Sequence, residues 1–318
     1  MSATKVAVVI PAYKVRKHIE AVLAAIPESV SYIFVVDDAC PEQSGKFVEQ
    51  NNADPRVKVL YHSENQGVGG AVMTGYEAVL QTDAAIAVKV DGDGQMDLTQ
   101  LPRLIAPIVQ GKADYTKGNR FNSVEALEAM PRVRIFGNAV LSFMNKFASG
   151  YWRITDPTNG YTAIHAQVLK DLKFVKIAKR YFFESDLLFR LSLLRAVVQD
   201  IPMNAIYAGE ESNLKISKIV GKFFWGNIKN FLKRVFYQYY LREWSTGSFE
   251  LPLGFFLTLF GFITAVITWL QSYSRTTPAP AGTVMLSALP LIVGIHLLLA
   301  FINSDVESEP RFPRHINP

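Results

Sequence analysis

The sequence predicts an α/β fold: a Rossmann-like, mainly parallel sheet followed by amphipathic interfacial helices and a two-helix transmembrane hairpin. Three observations predict it. Up to about residue 212, short β-branched runs alternate with helix-length stretches; residues 215–244 interleave basic and aromatic side chains; then come two uncharged stretches, each long enough to cross a bilayer. The boundaries that follow are an α/β domain over 1–212, juxtamembrane helices over 213–246, a hairpin over 247–304 and a tail over 305–318.

In the first region the β-branched runs are Val6 to Ile10, Tyr32 to Val36, Val57 to Tyr61 and Ala85 to Val90. The stretches between and after them, Val15 to Ile26, Glu42 to Asn51, Gly69 to Gln81 and Leu98 to Gln110, have helical length. Such spacing calls for βαβ units. In open sheets of this kind ligands bind beyond the carboxyl ends of the strands. Polar residues gather there: Pro11 and Tyr13 after the first run, Asp37 and Asp38 after the second, His62 and Asn65 after the third, Asp91 and Asp93 after the fourth.

In the juxtamembrane segment, Lys218, Lys222, Lys229, Lys233, Arg234 and Arg242 alternate with Ile219, Phe223, Phe224, Trp225, Phe231 and Phe236 at helical spacing. That is the pattern of a helix lying among lipid headgroups, its charges drawn to anionic lipid and its aromatics anchored at the interface. A nucleic-acid-binding helix is the competing reading; adjacency to two spanning candidates argues against it.

Leu251 to Ser274 has no charge over 24 residues, and a second uncharged stretch runs from Thr276 to Ser304. A linker around Arg275 to Gly282, with Pro278 and Pro280, is short enough only for a hairpin. The basic segment before the hairpin faces a single Arg275 in its loop, so the positive-inside rule puts both chain ends in the cytoplasm. Met1 to Ile10 lacks the features of a signal peptide, which agrees with a cytosolic α/β domain on an integral membrane protein.

Composition narrows the classes. The chain of 318 residues carries 33 basic and 28 acidic residues, a net charge of +5, with 49% hydrophobic and 19% charged content. It is neither disordered nor an ordinary soluble composition. One cysteine, Cys40, excludes an internal disulfide framework and a Cys-rich zinc site.

The strongest chemical signal is Asp91-Gly-Asp93-Gly-Gln95 at the end of the apolar run AAIAVKV. Two carboxylates one residue apart at a strand end can meet one divalent cation, Mg²⁺ or Mn²⁺, and leave octahedral positions for diphosphate oxygens. An Asp-Gly turn is the plainer reading. An EF-hand is excluded, since the twelfth position is Pro102. A glycine-rich segment, Asn65-Gln-Gly67-Val-Gly69-Gly70, lets backbone approach a ligand at a helix start, or simply turns into the helix. It lacks the spacing of a dinucleotide fingerprint. Basic residues then collect at Lys117 and Arg120, Arg132 and Arg134, and Lys215 and Lys218, as a phosphate-handling site beside a bilayer requires.

In this order the parts resemble a family-two, GT-A-fold glycosyltransferase, specifically the polyprenyl-phosphate hexose transferases that include dolichyl-phosphate mannose synthases and bactoprenol glucosyltransferases. The resemblance covers nearly the whole chain. Pro11, Tyr13, Asp37 and Asp38 match the nucleotide-recognising start, and Asp91, Asp93 and Gln95 match the metal and diphosphate motif; Asn65 and Gly69 join them in the expected nucleotide-sugar site. KGNRF resembles the family's GSRF segment, which implies phosphate contacts for Gly118 and Arg120. ITDPTNGY resembles D-x-x-S/T-G-F, implying Asp156 near the sugar and a close backbone approach at Gly160; FFESDLL resembles F-E-x-x-L, implying Glu184 at the catalytic floor. Ser217 and Lys218 match a Ser-Lys pair near the lipid phosphate, joined there by Arg120, Arg132, Arg134 and Lys215.

The chain departs from the family where Lys14 and Val15 replace Asn and Glu, and where Ser212 and Lys215 stand in place of Arg and Gly. The resemblance implies inverting, metal-dependent transfer of a hexose from a nucleotide-diphosphate sugar, UDP-glucose being the expected donor, to a polyprenyl phosphate at the cytoplasmic face of a bacterial inner membrane. Other donors such as GDP-mannose or a UDP-arabinose derivative remain open, as does a non-catalytic, membrane-tethered nucleotide-binding protein. A processive polysaccharide synthase would carry more spanning helices and a Gln-x-x-Arg-Trp element, which the sequence lacks. No nucleic-acid partner is expected, and the amphipathic and spanning helices offer surfaces for a homo-oligomer.

Overall fold

The computed structural model describes residues 4–121, 132–203, 216–275 and 278–316. They form two compact units: residues 1–234 with 310–318, and residues 235–309.

The first unit is built on a seven-stranded sheet of order β3-β2-β1-β4-β6-β5-β7. Its strands are β1 (Val6–Ala12), β2 (Tyr32–Asp37), β3 (Val57–Tyr61), β4 (Ile86–Lys89), β5 (Tyr115–Asn119), β6 (Thr162–His165) and β7 (Val198–Pro202). Pairing is parallel except along β6, which runs antiparallel to both β4 and β5. Thus β4 and β5 end on the same edge of the sheet where β6 begins.

Alternate residues of the strands feed two cores. On one face Ala7, Val9, Phe34 and Val36 pack against Val72, Tyr76 and Val79 of α3 (Val68–Val79) and Leu187, Leu188 and Leu191 of α7 (Phe183–Leu193). On the other, Val6, Val8, Ile10, Ile33 and Val35 meet α1 (Ile19–Ala24), α2 (Ser44–Asn51) and α4 (Leu101–Val109). Each fully buried aliphatic side chain contributes about 1.5–3 kcal/mol. A Cβ on Gly75 would collide with Val9, so the absence of a side chain there lets α3 lie directly on β1.

Two long helices flank this core. α5 (Arg132–Ser149) is amphipathic, with Phe136 and Phe143 exposed. α8 (Ile216–Phe236) docks on α5 and α7: Asn230 donates to Asp186 Oδ1 at 3.1 Å, and the buried Arg234 guanidinium donates to the Phe147 carbonyl at 2.8 Å. Its other side exposes Phe224, Trp225 and Leu232 among Lys222, Lys229 and Lys233. A short helix α6 (Ala166–Asp171) follows β6.

The tail returns to this unit. The backbone N–H groups of Arg314 and His315 and the His315 Nδ1 all meet the carboxylate of Asp114, which is wholly buried at the start of β5, and Arg314 pairs with Asp171 at 2.7 Å. His315 stacks on His165 with centroids 4.2 Å apart.

The second unit holds a π-helical turn (Tyr237–Arg242) and the antiparallel pair α9 (Gly247–Arg275) and α10 (Ala281–Glu307). Small residues bring the pair together: a Cβ on Gly261 would strike the backbone of Leu291 and Ser287, and one on Gly294 would strike Thr258. At one end Tyr239 donates to Asp305 at 2.7 Å and Ser304 to Glu250 at 3.0 Å. Both helices are long and apolar enough to cross a membrane, and Phe255, Phe256, Phe262, Ile263, Leu289 and Ile292 among others face outward. A soluble hairpin core would turn such residues inward.

Candidate active site

Four loops meet at the carboxyl edge of the parallel strands. After β1, Tyr13 is exposed, and Lys14, in the left-handed region at φ 60°, donates its N–H to Cys40 Sγ at 3.0 Å. After β2, Asp37 accepts from the N–H groups of Cys40 and Gly45 at 2.7 and 2.6 Å. Asp38 accepts from the N–H groups of Gln66 and Gly67, both at 2.8 Å, and from His62 Nδ1 at 2.7 Å, while Thr74 lies 2.8 Å from His62 Nε2. Both carboxylates are buried and spent on ordering loops, so Asp38 ties the loop after β2 to the start of α3. Asn65 joins this knot by donating to the Asp38 carbonyl at 3.2 Å. The glycine-rich segment closes against protein: a side chain on Gly69 would strike the Ala178 carbonyl and Phe183.

The charged centre lies between β4, β5 and the segment that leads into β6. Lys89, the last residue of β4, points from the sheet into the α3–α7 face and is buried. Its ammonium meets Asp91 Oδ1 at 2.8 Å, Glu184 Oε1 at 3.4 Å and the Gly160 carbonyl at 3.2 Å. Burial works to lower its pKa, but the charges of Asp91 and Glu184 outweigh burial and raise it. From β5 the buried Lys117 donates to the Asn159 carbonyl; burial lowers its pKa to about 8 against the pull of Glu184 and Asp156. At the end of β5, Arg120 grips the fully buried Asp156 through two hydrogen bonds, and Asn119 donates to Thr155 at 2.7 Å. Thr155 in turn donates twice to Asp200 of β7. Glu184 sits in the first turn of α7, where the helix dipole favours a carboxylate.

Asp91, Asp156, Glu184 and Arg120, drawn from four separate segments, therefore share one strand edge. Asp93 follows Asp91 on a turn in which Gln95 donates its N–H to Asp93 Oδ1 at 3.0 Å and Gly94 takes φ 76°. Burial chiefly, and the neighbouring charge of Asp91, raise the Asp93 pKa. Two acids pushed together in this way are stabilised by a cation, and no side chain at Gly160 intrudes, since a Cβ there would overlap Asp91 Oδ2 and Lys89 Nζ. The residues thus fit a divalent ion on Asp91 and Asp93. Among the described residues no cluster of three or more His, Cys, Asp or Glu could hold a metal.

Of the remaining expected residues, Pro11 lies half-buried next to the last residue of β1 and Gln95 is exposed. Arg132 and Arg134 lie in the first turn of α5, Ser217 and Lys218 in the first turn of α8, and their side chains, like the whole of Lys215, fall outside the described residues. Sequence reasoning overlooked Lys89, Asn159 and Thr155 as parts of the site, and grouped Lys117 with the phosphate-handling basic residues, whereas its ammonium is buried on the Asn159 carbonyl. A lysine inside the apolar run of β4 was the available signal. Beside the Arg120 loop a cavity of about 340 Å³ is lined by Phe121, Ile135, Ala139, Phe143, Lys146 and Thr155.

The profile described as glycosyl transferase family 2 matches residues 7–173, just over half of the chain. A UDP-N-acetylglucosamine–dolichyl-phosphate N-acetylglucosaminyltransferase of Methanococcus voltae is 29% identical over 63% of this chain and 84% of its own. An undecaprenyl-phosphate mannosyltransferase of Micrococcus luteus is 29% identical over 68% of this chain and 88% of its own. Mycolicibacterium smegmatis polyprenol monophosphomannose synthase is 27% identical, covering 67% and 80%. Among solved structures, glucosyl-3-phosphoglycerate synthase from Mycobacterium tuberculosis, with Mn²⁺, UDP and glucosyl-3-phosphoglycerate, aligns at TM-score 0.53 and 18% identity over 73% of this chain and 80% of that one, a likeness of fold. With its mainly parallel sheet, its paired acids after β4 and this profile match, the chain belongs to glycosyl transferase family 2.

Proposed function

We propose that the protein transfers a hexose from a nucleoside-diphosphate sugar to a polyprenyl phosphate at the cytoplasmic face of a membrane, with inversion at the anomeric carbon. The observation that carries this is the convergence of Asp91 and Glu184 on Lys89, with Asp93 and the Arg120–Asp156 pair beside them, at the edge where ligands bind in such sheets. The dolichyl-phosphate and undecaprenyl-phosphate transferases among the relatives, and the polyprenol monophosphomannose synthase beside them, support the acceptor class.

The acceptor phosphate has a second pKa of about 6, so it is an anionic nucleophile near neutrality and needs no strong protein base. An oxygen of that phosphate attacks the anomeric carbon as the bond to the donor diphosphate breaks. A divalent ion, Mg²⁺ or Mn²⁺, would be held by Asp91 and Asp93 and would neutralise charge on the departing diphosphate. Arg120, aimed by Asp156, binds phosphate; Glu184 orients sugar hydroxyls from the floor. The exposed apolar faces of α5 and α8 rest in the headgroup layer, with Lys222, Lys229 and Lys233 toward anionic lipid. In this reading the antiparallel α9 and α10 form the hairpin, with both of its ends at the cytoplasmic face.

The test is purified protein in detergent with polyprenyl phosphate, Mg²⁺ or Mn²⁺, and UDP-glucose, UDP-N-acetylglucosamine or GDP-mannose in turn. Glucose from UDP-glucose is the donor we propose. Formation of a lipid-linked sugar supports the reading; nucleotide binding without sugar release would make the chain a non-catalytic binder.

A further inference from the structure

We propose that Lys89 is a resident counter-cation that competes with the divalent metal for Asp91, so that the metal is taken up with the nucleoside diphosphate rather than ahead of it. The proposal rests on the reading of Asp91 and Asp93 as the metal-holding pair.

Three features carry it. Lys89 cannot swing away: its backbone is fixed in β4 between β1 and β6, its side chain is buried, and its ammonium is held by Asp91, Glu184 and the Gly160 carbonyl. One of the four oxygens of the acidic pair, Asp91 Oδ1, is therefore already occupied by a positive charge at 2.8 Å. An incoming ion on Asp91 lies close to that ammonium, where repulsion is only weakly screened.

A diphosphate arriving with the ion brings oxygen ligands to the two acids and negative charge that offsets the repulsion between the ion and the Lys89 ammonium. Lys89 is thus a positioning residue: it holds Asp91 and Glu184 in place and makes metal binding conditional on donor.

The experiment is a Mn²⁺ titration of the full-length protein in detergent, read by the electron paramagnetic resonance signal of free Mn²⁺, without nucleotide and with saturating UDP or GDP. In the wild type, nucleotide should tighten Mn²⁺ binding by about 30-fold, within the usual range of coupling between two ligands. Lys89→Met should bind Mn²⁺ without nucleotide about 10-fold more tightly than wild type, with coupling reduced to about 3-fold; Lys89→Arg, which keeps the charge, should keep the coupling. Unchanged Mn²⁺ affinity and coupling in Lys89→Met overturns the proposal. So does micromolar Mn²⁺ binding by the wild type without nucleotide, a result that needs no variant to fold. If Asp91→Asn and Asp93→Asn leave Mn²⁺ binding in the presence of nucleotide unchanged, the metal-site reading fails instead.

Discussion

Arg120 and Asp156 form a two-point pair, Nε to Oδ2 at 2.7 Å and Nη2 to Oδ1 at 3.0 Å, with the carboxylate wholly buried and the guanidinium partly open to solvent. The acid is the fixed partner and the arginine is what it presents. Arg120→Ala should lower turnover by about 100-fold, the scale of removing one donor to a developing anion. Asp156→Asn should cost about as much by releasing Arg120, and the double variant little more, because the two act as a unit. Arg120→Lys should not rescue, since an ammonium cannot make the two-point contact. Steady-state kinetics with the nucleotide sugar that supports turnover checks each outcome.

Gly160 lies where any side chain would overlap Asp91 and Lys89. Gly160→Ala should reduce turnover by about 10-fold or more while leaving the thermal unfolding midpoint within a few degrees, because the forced displacement falls on the site and not on either core. A fully active Gly160→Ala protein would show that the placement of these two charges does not matter.

How much of this could be read from the sequence depended on how regular each element is. The first four strands and their helices follow a clean β-branched rhythm, and β3 runs over Val57–Tyr61, the residues the pattern picks out. The later strands are hidden by their own chemistry. β5 reads YTKGN, with Thr116 and Lys117 buried by partners that lie far along the chain, so its alternation is lost. The docking of Arg314 and His315 on Asp114, about two hundred residues upstream, leaves no local trace. In the site, the acidic pair after β4 was legible because both carboxylates sit in one motif. Lys89 and the loop-ordering hydrogen bonds of Asp37 and Asp38 were not, since which way a carboxylate faces is decided by tertiary contacts.

Asp114 has its two oxygens filled by N–H groups of Val197, Arg314 and His315 and by the His315 ring. Asp114→Ala leaves these buried donors unpaired and should destabilise the catalytic unit by about 2–4 kcal/mol. Thermal unfolding in detergent checks it, together with limited proteolysis of the tail.

His165, stacked on His315, has its pKa lowered to about 4 by burial and by the neighbouring His315 and Lys170, against the opposing pull of Asp114. The unfolded chain then binds its proton first as pH falls, so the contribution of His165 to stability is present above about pH 6.5 and is lost toward pH 4. His165→Asn should flatten that part of the stability–pH curve, as measured by unfolding midpoints between these limits.

The most direct measurement of the central claim is product analysis of wild-type and Asp93→Ala protein incubated with nucleotide sugar, polyprenyl phosphate and Mg²⁺ or Mn²⁺. The account predicts a lipid-phosphate sugar of inverted anomeric configuration from the wild type, abolished by EDTA and by Asp93→Ala. Sugar released only to water, or full turnover by Asp93→Ala in EDTA, would contradict it.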